Sequence, residues 1–375
     1  MGHGMEENDT AMYGSMTPAW HNHEGSRVVA GQPNSADAIE YAGLGWTVDK
    51  IPVYLNNWEN GILGGKVESH VQDPSHSFMV RDDLDATNPD KILGIVGNKF
   101  FVLQNNECFA IADDFVGEGG ANFETAGSLK NGKLVYLLAV LPDTMKVQDD
   151  EINKYLLIKH AHDGSCALEI AFTPIRVVCM NTLRAAILGA RARSEGGIIS
   201  SVKIKHTLNM DVRINDAKSV LGKANEYFTE IGGIFNSMAA KKVDERFVNA
   251  YLSAIIPDTK KTDDQKRDNC RSENIRNRVK KLFMGNQAGA GMDAVRGTAY
   301  GLHSALTQYL EYDQQRHVGK EPTDSMLAES RMMATMFNGS AEKLRQTSFN
   351  LLRDTDRTQA LADAGELTAS VSTVN

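Results

Sequence analysis

The segment best suited to chemistry is His160-Ala-His162-Asp163. Two histidines one residue apart on a strand point to the same face, and a pair of imidazoles with a carboxylate beside them is the beginning of a metal site. Asp163 points the other way if the strand continues, and His21-Asn-His23, His70, His76, His206 and His303 bring no supporting spacing. The plain expectation is a polar hairpin end that hydrogen-bonds its own turn. A metal-assisted enzyme centred on His160, His162 and Asp163 is the alternative. Gly127-Ser-Leu-Lys-Asn-Gly132-Lys133 has the glycine spacing of a P-loop, whose backbone N–H groups surround a phosphate and whose next residue, Ser or Thr, binds magnesium. Here the next residue is Leu134 and the following sequence is β, not the helix an anion needs, so the segment reads as a hairpin turn. Cys166 and Cys179 are the candidate thiols. Cys179 lies in a Val-Val-Cys-Met run that reads as buried and therefore inert. Asp82-Asp83, Asp113-Asp114 and Asp149-Asp150 read as solvating charge. No catalytic residue, metal ligand set or cofactor is expected.

Charge points elsewhere. The 375-residue chain carries a net charge of −8, yet residues 154–223 hold 11 Lys/Arg against 5 Asp/Glu and residues 260–296 hold 10 against 5, while residues 1–153 hold 9 against 23. Lys154, Lys159, Arg176, Arg184, Arg191, Arg193, Lys203 and Lys205 fall on successive elements of the first basic stretch. A groove lined by them would neutralise phosphates and release counterions, and Phe100 or Phe101, adjacent on an expected strand, would supply a stacking platform for single-stranded bases. Arg271 to Lys281, with Arg276, Arg278, Lys280 and Lys281, is a second basic strip. The competing reading is that both strips are solvated faces that never converge.

These residues need elements to hold them. Asn34-Ser35 caps a helix from Ala36 to Ala42, stopped at Gly43. Thr47 to Leu55 is extended, and residues 56–77, polar and Gly-rich, read as a long loop. Ile92–Gly97 and Lys99–Gln104 read as strands around a turn at Asn98, and Glu107–Phe115 as a short helix broken by the glycines of 117–120. Phe123–Leu129 and Lys133–Leu141 form a hairpin on Lys130-Asn131-Gly132. Lys154–His160 and Ala167–Phe172 form another on Asp163-Gly164. Asn181 caps a helix from Thr182 to Arg193. After about residue 210 the pattern is helical, over 212–241, 244–256, 275–284, 294–316 and 324–352, with 258–274 a charged linker. The fold class is α+β, a strand-rich mixed N-terminal and central core followed by a helical C-terminal part. The divisions are an irregular segment 1–33, a core domain 34–210, a helical region 211–353 and a flexible tail 354–375. Four scattered cysteines without a Cys-x-x-Cys pair suit a reducing cytoplasm, no secretory signal is read at the N-terminus, and no apolar run is long enough to span a membrane.

Gly43-Leu-Gly-Trp46, Leu93-Gly-Ile-Val-Gly97, Val102-Leu-Gln-Asn105, Thr125-Ala-Gly-Ser128, His162-Asp-Gly-Ser165 and Arg176-Val-Val-Cys-Met-Asn-Thr-Leu183 occur in that order. Trp20-His21 and Gly297-Thr-Ala-Tyr-Gly301 to Tyr309 extend the pattern. Together they resemble the phage- and plasmid-borne family catalogued as domain of unknown function 932, over roughly residues 15–320. Where many relatives are expected to carry Ser before His-Asp-Gly, this chain has Ala161. The resemblance implies a mobile-element origin and no activity, and it draws attention to Arg176, His162, Asp163, Asn181 and Thr182 as the polar members of the matching segments. The leading expectation is a nucleic-acid-handling protein of a phage or plasmid. It would bind the backbone of single-stranded DNA in replication or recombination without catalysis, in the host cytoplasm, with no membrane partner. Single-strand annealing proteins that assemble as rings have a compatible order of elements, so a homo-oligomer is also expected. An interaction protein acting on a host factor through the acidic first 153 residues is a further alternative.

Overall fold

The computed structural model describes residues 11–13, 27–28, 33–60, 66–119, 121–176, 201–210, 214–215, 224–258, 265–285, 292–314, 326–327, 330, 333–334 and 339–367. The strands are β1 (Ala11–Tyr13), β2 (Arg27–Val28), β3 (Val48–Asn60), β4 (Lys66–Arg81), β5 (Ile92–Gly97), β6 (Asn122–Leu129), β7 (Leu134–Val147), β8 (Asp150–Ala161), β9 (Leu168–Arg176) and β10 (Ser201–Ile204). One sheet has the order β10-β9-β8-β7-β6-β1-β2, and a three-stranded antiparallel sheet has the order β3-β4-β5. The helices are α1 (Ser35–Tyr41), α2 (Asn105–Gly119), α3 (Ala224–Ala240), α4 (Glu245–Ile255), α5 (Gln265–Met284), α6 (Met292–Val295), α7 (Ala299–Gln308), α8 (Ser340–Leu352) and α9 (Thr355–Asp363), with a π-helical turn at Tyr309–Asp313 after α7. The fold is therefore α+β, with both sheets in the N-terminal and central parts and mostly helices after them. Two compact units interleave along the chain: residues 1–141, 156–171 and 201–220 form one, and 142–155, 172–200 and 221–375 the other. Among the described residues no helix is long and apolar enough to cross a membrane.

Local chemistry explains the elements that the sequence anticipates. Asn34 closes a capping box on α1, its side chain accepting from Asp37 N–H while the Asp37 carboxylate accepts from Asn34 N–H. Lys130, Asn131 and Gly132 all take positive φ, which turns β6 into β7 within the four residues Lys130 to Lys133, and β7 rather than a helix follows the P-loop-like run. The second hairpin turns where expected, with Ser165 N–H donating to Asp163 Oδ1. β8 and β9 supply the most enclosed backbone: Leu156, Ile158, Leu168, Ile170 and Ala171 are fully buried.

Several expectations need correction. Residues 56–77 are not a loop. β3 and β4 pair from Val48↔Arg81 to Asn60↔Lys66, with a bulge at Pro52/Tyr54, and partners such as Asn56↔His70 are held by backbone ladders that a polar composition does not advertise. Lys99–Gln104 is not a strand, so Phe100 and Phe101 are not on one. There Phe101 N–H donates to the His206 carbonyl, and the Gln104 side-chain amide takes a ladder position, accepting from Val48 N–H and donating to Val48 O. α2 continues through Gly117 and Gly119; glycine costs a helix only about 1 kcal/mol against alanine. The charged linker from 265 onward is α5, whose Val279, Leu282 and Phe283 are buried while Arg271, Glu273, Arg278 and Lys281 are exposed. The tail expected to fray holds α9, capped by Asp354 on Arg357 N–H, and Leu367 packs against Ala254 beside Leu351 and Leu361. The expected helix 182–193, with Asn181, Thr182, Arg184, Arg191 and Arg193, lies outside the described residues, as does Cys179.

Candidate functional site

β8 delivers His160 and His162 to one side, as their spacing requires, but into the core of the first unit rather than to a wet hairpin end. They are 0% and 1% exposed, with ring centroids 4.6 Å apart in an edge-on arrangement. His206, just after β10, brings a third imidazole 5.8 Å from that of His160 and stacks on Phe100 at 4.6 Å. Asn105, the first residue of α2, fixes one member. Its Nδ2 donates to the Leu44 and Trp46 carbonyls, so its Oδ1 faces His162 Nε2 at 3.0 Å and that nitrogen must carry the proton. His206 Nδ1 faces the Phe101 carbonyl at 3.2 Å and donates likewise. Both ring nitrogens of His160, and Nε2 of His206, have no hydrogen-bond partner among the described residues. Trp46 lies 5.3 Å from His162 and has the Arg81 guanidinium over its ring at 4.3 Å. Arg81 itself is clamped by Asp83 and by the Asn131 carbonyl.

The electrostatics of this cluster oppose catalysis. Burial, with the neighbouring His206 and Arg81, pulls His162 down to about 3; burial and the other two rings hold His160 well below its ordinary value; burial lowers His206. A general base works best with a pKa near the operating pH, and these imidazoles are neutral across the physiological range. Asp163 is spent on its own turn, and among the described residues no three His, Cys, Asp or Glu side chains are placed to hold a metal ion. Burial pushes the Cys166 thiol up to about 11, away from the reactive thiolate.

In the first basic stretch Arg184, Arg191 and Arg193 lie outside the described residues, and Lys159 is not at the surface. Lys159 is 1% exposed and paired with Glu169 at 3.1 Å, and Lys203, opposite Glu169 on β10, shares that carboxylate at 3.6 Å. A buried, neutralised ammonium cannot meet a phosphate. Lys154 is half-buried, 5.7 Å from the Phe228 ring. Lys205 is exposed. The Arg176 side chain lies outside the described ones. The second strip fares differently. On α5, Arg271, Arg278 and Lys281 are exposed at spacings of seven and three, which align them along one side of the helix. Arg278 donates to Asp313 and Arg276 to Asp258 and the Ile256 carbonyl.

One cluster had no signal in the sequence. In the second unit Ser348 Oγ is 2.7 Å from His303 Nδ1 and 2.6 Å from the Tyr251 hydroxyl, joining residues 45 and 97 positions apart. Beside it Arg345 donates to Glu311 at 2.8 Å. A serine touching an imidazole is the geometry of a nucleophile and its base, but Ser348, His303 and Tyr251 are each 0% exposed, and burial with the nearby Arg345 charge brings His303 down to about 3. The trio is a hydrogen-bonded knot between α4, α7 and α8.

A family model described as Domain of unknown function (DUF932) matches residues 92–361 of the chain. No curated protein and no solved structure matches it.

Proposed function

The chain belongs to the Domain of unknown function (DUF932) family, and within it we propose a protein that handles nucleic acid without catalysis, binding the backbone of single-stranded DNA in the replication or recombination of a phage or plasmid. The observation that carries this reading is the exposed alignment of Arg271, Arg278 and Lys281 on α5, a helix anchored by the buried Val279, Leu282 and Phe283, with Arg278 also paired to Asp313. A fixed row of cations on a rigid element is suited to a polyphosphate chain, because each neutralised phosphate releases a counterion. The reading shifts the weight from the first basic stretch to the second, since Lys159 is buried against Glu169. It sets the protein in the host-cell cytoplasm, where the free thiols Cys108 and Cys166 stay reduced. The test is a salt titration of binding to a 40-mer single strand. Binding weakens steeply from low to moderate salt, and Arg271→Glu with Lys281→Glu lowers the log–log slope by about 1.4, at roughly 0.7 per phosphate. Absence of binding, or binding indifferent to salt, defeats the proposal.

A second reading, assembly of the chain with further copies of itself, has its own observation. Ile51, Phe78 and Ile95 stand directly opposite one another across β3, β4 and β5, and Ile51 and Ile95 are 44% and 55% exposed. An exposed apolar row across a whole sheet is a surface that self-association would cover. Ile95→Lys then lowers the sedimenting mass; a wild-type protein that sediments as a monomer at high concentration removes this reading.

A further inference from the structure

We propose that an apolar groove beside α5 receives a single unstacked base of the strand whose phosphates lie along that helix; the inference rests on the nucleic-acid reading above and adds what the site takes besides charge. The groove has a volume of about 200 Å³ and is lined by Ile255, Ile275, Leu306, Tyr309, Leu310 and Leu344 among others, with the Gln314 amide as its polar side chain. Sites for drug-sized ligands run to roughly 300–1,000 Å³, so this one takes one ring system and not a whole cofactor. Its floor and its rim differ in chemistry. Ile275 belongs to α5 and is bracketed on the same side by Arg271, four residues before, and Arg278, three residues after. Those two arginines stand about 10 Å apart along the helix axis at 1.5 Å per residue, with the groove-lining Ile275 between them.

The far wall is the π-helical turn Tyr309–Asp313, where Gln314 N–H reaches back to the Tyr309 carbonyl at 2.8 Å. Such turns widen a helix locally and recur at functional sites. Asp258 and Asp313, next in sequence to the lining residues Pro257 and Gln314, pair with Arg276 and Arg278, so a phosphate at Arg278 shares that guanidinium with Asp313 while Arg271 carries the larger part of the attraction. Charge decides the occupant. A lipid tail or an apolar peptide would find the floor suitable but would gain nothing from Arg271 and Arg278. A base has apolar faces and comes tethered to phosphates on both sides, which matches an apolar slot between two guanidinium groups. Apolar contact of this kind tolerates any base, since each has a π-face.

The experiment compares equilibrium binding of the full-length protein to a 40-mer single strand and to an abasic 40-mer of the same charge, each across a salt series. The wild type binds the base-bearing strand at least about fivefold more tightly, the lower end of a single base contact, with the same salt slope for both. Leu344→Trp and, independently, Ile275→Trp fill the groove; each folded variant, checked by its melting transition, binds the two strands equally and keeps the slope. Equal wild-type binding to both strands with a normal slope overturns the groove and leaves the phosphate reading standing. So does a folded pair of variants that keeps the preference. No binding to either strand defeats both.

Discussion

Acid should unfold the first unit well before its carboxylates protonate, and His160 should account for much of it. In the native state His160 and His162 are both fully buried; burial with His206 and Arg81 brings His162 down to about 3, and burial with the other two rings holds His160 well below its ordinary value. In the unfolded chain each takes up a proton near pH 6.5. Below that value the unfolded state therefore binds more protons than the native state. Stability is full above pH 6.5 and falls as pH drops, by about 1.4 kcal/mol per pH unit for each histidine. For His162 the loss between pH 6.5 and 4.5 is about 2–3 kcal/mol, and His160 adds to it in the same direction, a large part of the roughly 5–15 kcal/mol a domain has. Coulombic repulsion between the rings strengthens the argument, because it keeps the second ring neutral once the first is protonated. His160→Leu removes one of the two proton sites. It also removes two ring nitrogens with no hydrogen-bond partner among the described residues, a burden of about 1–3 kcal/mol, so stability at pH 7 is unchanged or higher. The assay is the urea midpoint at pH 7, 6, 5 and 4.5, followed by tryptophan emission, to which Trp46 beside His162 contributes. A variant with the wild-type pH slope, or one destabilised at pH 7 by more than about 2 kcal/mol, refutes the reasoning.

Two further outcomes follow from buried geometry. Arg345→Met leaves the Glu311 carboxylate buried without that guanidinium and should cost about 3–5 kcal/mol; at about 2–4 °C per kcal/mol for a unit of this size, calorimetry should show the corresponding transition falling by roughly 6–20 °C. Gly132→Ala must place a Cβ at φ +91°, 2.8 Å from Arg81 Nη1 and 3.0 Å from the Trp46 ring, so it should lower the urea midpoint by more than the 1–2 kcal/mol of left-handed backbone alone, whereas a midpoint within error of wild type would falsify the packing described around Trp46.

What the sequence disclosed and what it hid divide on physical grounds. The cap at Asn34, the turn at Asn131-Gly132 and the shared face of His160 and His162 depend on neighbours a few residues apart, and all three are as read. The β3–β4 hairpin was hidden because its stability comes from cross-strand ladders, and Asn56, His70 and Ser69 carry no alternating apolar signature. The histidine pair was read with the right orientation and the wrong surroundings: whether a hairpin end is wet depends on Trp46, Asn105 and His206, which arrive from 44 to 116 residues away in sequence. The basic stretch failed at Lys159 for a related reason. Counting charge gives no weight to Glu169, which faces Lys203 across β9 and β10 and turns two cations into one satisfied cluster. The Ser348 knot had no local signature at all, since its hydrogen bonds join three helices.

The interleaving of the two units bears on synthesis. All of the first unit lies within residues 1–220, whereas the second begins at 142 and ends at 375. Translation proceeds at about 5–20 residues per second, so the first unit can close while the stretch 142–155 waits roughly ten to forty-five seconds for the rest of its own unit to emerge. Asp150 illustrates the delay: it is buried and bonded to the Tyr300 hydroxyl at 2.9 Å, 150 positions downstream. Until α7 is made, a carboxylate destined for the interior and the buried Met145, Val147 and Ile152 near it stand open on the nascent chain, which makes that interval the one in which a chaperone or a neighbouring ribosome has most influence on yield. The same threading means that no single cut releases the second unit whole without dividing the first, and expression of the helical part alone from residue 221 lacks the strand segments on which it closes.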